Sequence, residues 1–435
     1  MKILSCKDFE AYWKSQKVLG DNLEVTKTVL SIIDDVRQNG DAALHRLCAQ
    51  FEKCSPAFFE VPLQKASIAW EKLKSTDPNL ALALELSADH IRCFAQLQKD
   101  QIKDFEIEIE RGIFTSQRVI PVERAAIYVP AGNFPLISTV LMGVIPSVTA
   151  GTTETIVVSP PQENGLPDER IMAAAYLAGA QRIFALGGAQ AIAAFALGSE
   201  TVPRCDVIAG PGNKYVAAAK KLLYGEVGID FIAGPTDVLV ITDESSNLKT
   251  AALDLIAQAE HDIASRARIL VPHKEAAEVI IKETESQLAR LKDASTARRS
   301  LEDGGLIVIY DSITDAIACA NTIAPEHLEL HVASSSQWID GLKNYGSLFI
   351  GSEAAEVLGD YSAGINHTLP TSGSARFSGG LSVRHFLKVV THLRCENGAA
   401  YKQALDAAAV IAAAEGLDGH ANAAKNRPRA LAISA

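Results

Sequence analysis

Along the first hundred positions apolar residues recur three or four apart, the spacing of amphipathic helices, over Asn22 to Arg37, Asp41 to Phe51 and Leu80 to Gln98. Residues 1 to about 21, with Phe9, Tyr12 and Trp13, read as a separate arm whose aromatics serve packing. From Glu108 the pattern becomes alternation, placing Ile109, Ile113 and Val119 on strands. At Arg124 it changes again. Short apolar runs at 125–129, 155–158, 182–186 and 205–208 alternate with alanine-rich helical segments, Ser138 to Thr149 among them. Pro146 should kink or shorten that helix. A second series follows at 238–241, 268–271, 305–309 and 348–351, with a helix expected from Leu248 to Ala264. Continuous apolar strands separated by helices indicate parallel sheets covered on both faces. The predicted class is α/β and doubly wound; the two blocks share a rhythm but no residue-level repeat.

Length and composition narrow the functional classes. At 435 residues the chain exceeds one simple core, and 48% hydrophobic with 21% charged residues is ordinary for a globular protein. It has no run of about eighteen uncharged apolar residues, and its N-terminus turns charged too early for a secretory signal. Seven scattered cysteines without a C-x-x-C pair argue for a reducing compartment and against a cysteine-based zinc site. A formal charge of −11 without a basic block makes nucleic acid an unsuitable partner. A cytoplasmic protein handling a small molecule is expected, without a membrane or nucleic-acid partner.

Three segments carry candidate chemistry. Loops at 130–133, 187–190 and 209–213 follow predicted strands and combine glycine with a side-chain amide. Such loops suit phosphate at helix N-termini. None is a G-x-G-x-x-G, and no acid stands about twenty residues on, so a nucleotide site here lacks the usual fingerprint. Gln258 and His261 are three apart, hence on one face if the helix continues, and offer two arms of a metal site. Glu326 and His327 follow Pro325 at the mouth of an apolar strand. Neighbours on an extended segment point to opposite faces, but a turn there lets both serve one pocket as proton acceptors. With Asp360 and His420, Gln258 and His261 make a nitrogen/oxygen set suited to a zinc-like ion. A metal, two bases and a nucleotide site suggest an oxidoreductase or a metal-assisted transferase.

Seven motifs in order sharpen this: Gly187-Gly188-Ala189-Gln190, Gly210-Pro211-Gly212-Asn213, Val227-Gly228-Ile229-Asp230 with Ala233-Gly234-Pro235, Gln258-Ala259-Glu260-His261, Pro325-Glu326-His327-Leu328-Glu329, Asn366-His367-x-Leu369-Pro370-Thr371 and Glu415-Gly416-Leu417-x-x-His420. In this register the chain resembles the histidinol dehydrogenase family from about residue 20 onward. The resemblance implies a zinc enzyme of histidine biosynthesis, with one Zn²⁺ per subunit, oxidising L-histidinol to L-histidine through the aldehyde with two NAD⁺. It implies that Gln258, His261, Asp360 and His420 bind zinc, that His327 takes the alcohol proton, and that Glu326 activates water. Thr236, His367 and Glu415 would line the substrate pocket with the metal ligands and His327, and Tyr128, Gln190 and Asn213 would contact NAD. It implies two incomplete Rossmann-like domains, 23–128 with 236–380 carrying zinc and bases and 129–235 binding NAD. An N-terminal arm (1–22) and a helical C-terminal tail (381–435) complete it, the tail exchanged in a homodimer so that Glu415 and His420 act in trans.

The chain departs from the family at Thr236-Asp237, where Ser-Glu is usual, and at Pro130-Ala131-Gly132-Asn133, where Pro-Gly-Gly is commoner. Since related enzymes with the same zinc and base residues oxidise other alcohols, a sulfonated propanediol among them, a zinc- and NAD-dependent dehydrogenase of another small polar alcohol is the alternative. A catalytically silent binding protein on the same scaffold is a third reading.

Overall fold

In a computed structural model of the chain, residues 1–15, 23–52, 54–131, 135–232 and 234–427 are described. Gly132 and Asn133 of the first glycine loop, and 16–22 of the expected arm, lie outside them. The chain forms two compact units, one of Met1–Gln96 with Val122–Phe386, the other of Leu97–Pro121 with the chain from Leu387 onward.

The first unit holds two six-stranded sheets, with strands numbered here in chain order. One runs from β2 (Glu60–Val61) through β7 (Arg182–Ala185), β6 (Glu154–Ser159), β5 (Arg124–Tyr128) and β8 (Val207–Ala209) to β9 (Gly228–Ile229). The other runs from β1 (Lys2–Ser5) through β12 (Leu306–Ile309), β11 (Arg266–Val271), β10 (Asp237–Thr242) and β13 (His327–His331) to β14 (Ser347–Ile350). Apart from the antiparallel edge strand β2, every pairing is parallel. Each sheet starts in its middle, steps outward twice, then crosses to the other side, so the order reverses between β5 and β8 and between β10 and β13. That reversal is the doubly wound switch point.

Segment membership differs from the expected domains in three places. Residues 2–5 are edge strand β1, in register with Leu306–Ile309, rather than part of a separate arm. The long helix Leu23–Phe51 buries Val25, Val29, Ile33 and Leu44 in one cluster with Ala126, Ile156 and Phe184. It therefore covers the β5–β9 sheet, not the sheet of the catalytic corner. It is broken at Gly40 (φ 49°), where the pattern separates two helices. In the second unit, β15 (Leu387–Cys395) pairs antiparallel with β4 (Ile113–Pro121), which pairs with β3 (Phe105–Glu110). The C-terminal segment is thus strand first, and then the helices Ala399–Ala414 and Asp418–Lys425.

Pro146 does not shorten its helix, which runs unbroken over Ile137–Ala150. The missing proline N–H frees the Met142 carbonyl four residues back. The Asn366 amide donates to it at 2.8 Å.

Candidate active site

Strand β13 reads His-Leu-Glu-Leu-His, an alternation normally found where one face meets water. Here all five residues are buried. Leu328 and Leu330 pack with Ala320 and Ile323 of the helix Ile313–Ile323. His327 and Glu329 are in register with Val238 and Val240, so with His331 they face the layer formed by the helix Leu248–Ala259. A row of ionisable side chains is thereby folded into the interior.

Glu326 is fixed at the amino end of this strand. Ala324 ends the preceding helix at φ 50°, and Pro325 follows, which supplies the turn that the sequence requires. The Glu326 N–H donates to Asp237 Oδ1 and the Asp237 N–H to Glu326 Oε2, each at 3.0 Å. This reciprocal pair locks β10 to β13. Thr236 Oγ1 lies 2.5 Å from Glu326 Oε2. Burial pushes the Glu326 carboxyl well above the usual range, against the hydrogen bond from Thr236.

His327 is 3% exposed, and its Nδ1 faces the Asp237 carbonyl at 3.3 Å. A carbonyl only accepts, so Nδ1 carries the hydrogen and Nε2 keeps a lone pair. Nε2 is buried without a partner, and its nearest carboxylate oxygen is Asp360 Oδ1, 3.8 Å away. Burial lowers the imidazole to about 3, so it is neutral, with the Nε2 lone pair free.

Beside it, ligating atoms of His261, Glu356 and Asp360 lie within 4.8 Å of one another. The helix carrying Gln258 stops at Ala259, so His261 stands in the following turn rather than on the same helical face. The two still reach one place. The Gln258 amide fits with its nitrogen on Glu356, 2.7 and 3.1 Å from the two oxygens, and its oxygen 2.7 Å from Thr236 Oγ1. Thr236 Oγ1 thus stands between the Gln258 amide, at 2.7 Å, and the Glu326 carboxyl, at 2.5 Å. Burial and then the charges of Asp360, Glu329 and Glu326 also raise Glu356, while burial and Glu329 push Asp360 up to about 7.

A cavity opens here, lined by Thr236, His261, Glu326, His327, Glu356, Asp360 and His367 together with Leu136, Ser138 and Pro211. His367 Nε2 is 3.2 Å from Ser138 Oγ, so Asn366 and His367 both anchor their loop to the helix Ile137–Ala150. Among its described lining residues are acids and imidazoles but no Lys or Arg. Clustered acids with no counter-cation, beside an unpartnered imidazole nitrogen, fit a bound divalent metal.

The expected NAD residues are engaged within the chain. Tyr128, 3% exposed, accepts the Gly188 N–H on its hydroxyl at 3.1 Å. Gln190 Nε2 donates to Glu52 Oε1 (2.8 Å), which also accepts the Gly187 N–H (2.9 Å). Asn213 caps the helix Lys214–Leu223, accepting from Tyr215 and Val216 N–H at 2.9 and 3.1 Å. Beneath that loop Lys220 Nζ donates to the Gly210 carbonyl at 2.9 Å and pairs with buried Asp230, whose other oxygen accepts the Gly210 N–H at 2.8 Å. Glu415 and His420 are exposed residues of the second unit, at the end of the helix Ala399–Ala414 and on the helix Asp418–Lys425.

Sequence reasoning missed Glu356, Asp237 and Glu52. Glu356 stands one helical turn before Asp360, which was a usable signal; Glu52 is 135 positions from Gly187 and gave none.

The family profile described as histidinol dehydrogenase matches residues 16–428. The chain belongs to the histidinol dehydrogenase family. A curated histidinol dehydrogenase of Thermus thermophilus is 44% identical over 397 residues, covering 91% of this chain and 93% of the relative. One from Prochlorococcus marinus is 43% identical over 410 residues, covering 93% and 92%. The crystal structure of histidinol dehydrogenase from Elizabethkingia anophelis superposes with a TM-score of 0.90 at 32% identity, covering 98% of this chain and 96% of that one. Membership makes the chain an NAD-dependent oxidoreductase, and the doubly wound assignment holds.

Proposed function

We propose that the chain oxidises L-histidinol to L-histidine through the aldehyde, using two NAD⁺ and one zinc ion per active site. The observation that carries this is the buried, unpartnered Nε2 of neutral His327, aimed at a cavity rich in acids and imidazoles. Gln258, His261 and Asp360 would hold zinc, with His420 from a second copy of the chain completing the set. Bound zinc would anchor the substrate's nitrogens as a Lewis acid, and NAD⁺ would accept hydride at each oxidation.

The remaining steps belong to side chains. His327 Nε2 takes the hydroxyl proton as the alcohol is oxidised. Glu326, in its ionised form, removes a proton from the water that adds to the aldehyde; its raised pKa makes it a stronger base than an ordinary carboxylate. His327 then takes a hydroxyl proton of the hydrate. Thr236, His367 and Glu415 are assigned to the substrate, Tyr128, Gln190 and Asn213 to NAD. For Tyr128 and Gln190 this means a supporting role through Gly188 and Glu52, unless cofactor binding replaces those bonds. A second copy is supported by the apolar side chains left exposed on the three-stranded sheet, Phe105, Ile107, Ile109, Val389 and Leu393.

The absence of Lys and Arg from the described lining favours an imidazole- and amine-bearing alcohol over a sulfonated one, which needs a cationic partner. The test is NADH formed per L-histidinol consumed by zinc-loaded protein. Two NADH, abolished by a chelator and restored by zinc, is the expected result. No turnover of histidinol by protein that binds zinc and NAD would overturn it.

A further inference from the structure

The buried face of β13 continues beyond His327. Glu329, two residues on, is 0% exposed, and His331, four residues on, is 3% exposed. Opposite them stands Asp254, one helical turn before Gln258 on the helix Leu248–Ala259. Ligating atoms of Asp254, Glu329 and His331 lie within 4.8 Å of one another. Asp254 Oδ2, Glu329 Oε2 and both ring nitrogens of His331 are buried without a hydrogen-bond partner. Leaving so many buried polar atoms unpaired is costly.

The spacing distinguishes two ways of satisfying them. An ion pair closed by a charge-assisted hydrogen bond brings N and O to about 2.8 Å. His331 Nε2 instead stands 3.2 Å from Glu329 Oε2 and 3.8 Å from Asp254 Oδ2. Ligands about 2.1 Å from a tetrahedral zinc ion are roughly 3.4 Å apart, between those two values. Charge agrees: against burial, Glu329 and then Asp254 hold the His331 imidazole above its ordinary range, and with that proton displaced two carboxylates and a neutral imidazole carry the −2 that a divalent ion cancels. The other oxygen of Glu329 is occupied, accepting the Glu356 N–H at 3.0 Å, which leaves Oε2 as a single directed donor. Asp254, with 14% of its side chain exposed, gives the pocket its side toward solvent.

We propose that Asp254, Glu329 and His331 form a second divalent-metal site, structural in role and separate from the set containing Gln258 and His261. It clamps the helix that carries Gln258 to the strand that carries His327, one turn from the first and two residues from the second. The donor set, one imidazole and two carboxylates, suits zinc or a similar first-row ion.

The test is zinc stoichiometry, measured by elemental analysis and calorimetric titration of chelator-stripped full-length protein. Two equivalents per chain are expected for the natural sequence, and one each for Asp254→Asn/His331→Gln and for His261→Ala. Cobalt substitution reads the site directly, since the His261→Ala protein should retain a visible d–d band that Asp254→Asn abolishes. Natural protein that binds one equivalent, lost in His261→Ala, would overturn the second site while leaving the catalytic zinc in place. One equivalent lost only in Asp254→Asn/His331→Gln would support the second site and count against the catalytic assignment. If the double variant fails to fold, the cobalt band of His261→Ala decides alone: its absence overturns the proposal.

Discussion

The two six-stranded sheets have the same strand order, yet they face the cavity with opposite ends. In the β5–β9 sheet the carboxyl ends of β5 and β8 lead into the helix Ile137–Ala150 and Pro211, which line it. In the β10–β14 sheet it is the amino ends of β10 and β13 that arrive there, bearing Thr236, Glu326 and His327. Both use the strand pair at the order reversal. The carboxyl-end rule for doubly wound sheets, which drew attention to the glycine loops, therefore describes half of this cavity. The other half needs something that amino ends do not normally supply, and the reciprocal Glu326–Asp237 hydrogen bonds provide it by fixing two strand starts to each other. One sheet presents loop backbone and helix starts, and the other presents ionisable side chains held on strands.

The sharpest way to break this contrast is His327→Gln. If the amino-end corner performs the proton transfers, turnover should fall by about 10²–10⁴ with zinc content unchanged. A loss below tenfold, measured by steady-state NADH formation, would move the chemistry elsewhere. At the other end, Lys220→Met leaves Asp230 as a buried charge without its cation beneath Gly210. The expected destabilisation is about 3–5 kcal/mol by denaturant unfolding, with the Gly210 carbonyl left without its Lys220 donor. A stable variant with normal NAD affinity would show that the loop needs no such support. Within the corner, Glu326→Gln should slow aldehyde oxidation more than alcohol oxidation, by about tenfold or greater, if Glu326 serves water activation. Equal losses on both substrates would reduce it to a support for Thr236.

The contrast also explains what could be read in the sequence. The β5–β9 half was legible because continuous apolar strands and glycine-bearing turns are local signals, and the strands, with the loops at 187–190 and 209–213, stand where the pattern places them. At β13 the local pattern misleads, since His-Leu-Glu-Leu-His alternates like a half-exposed strand while the fold covers both faces. Only packing reveals that three ionisable residues are buried there. Glu326 and His327 stood out as candidate proton acceptors beside Pro325, and their separate roles came from the family resemblance. Glu356, Glu52 and Asp237 act through hydrogen bonds to residues between 89 and 138 positions away, and the single local signal among them was Glu356 standing one helical turn before Asp360. The C-terminal strand β15 escaped because it is itself largely exposed and its partner β4 lies far earlier in the chain.

Pro146 and Asn366 give the mildest test, and the one that connects a sequence anomaly to the cavity wall. The proline leaves the Met142 carbonyl without its helical donor, and Asn366 Nδ2 fills the vacancy at 2.8 Å. Asn366→Ala should therefore expose a buried acceptor and cost about 1–3 kcal/mol. Pro146→Ala restores an N–H to the helix and competes for the same carbonyl. If the two groups serve one acceptor, the double variant is less destabilised than the sum of the singles by at least about 0.5 kcal/mol in a denaturant double-mutant cycle. Strict additivity would mean that Asn366 holds the loop through something other than the carbonyl that Pro146 releases. His367, next in the chain, would then depend on Ser138 alone to keep its place on the cavity wall.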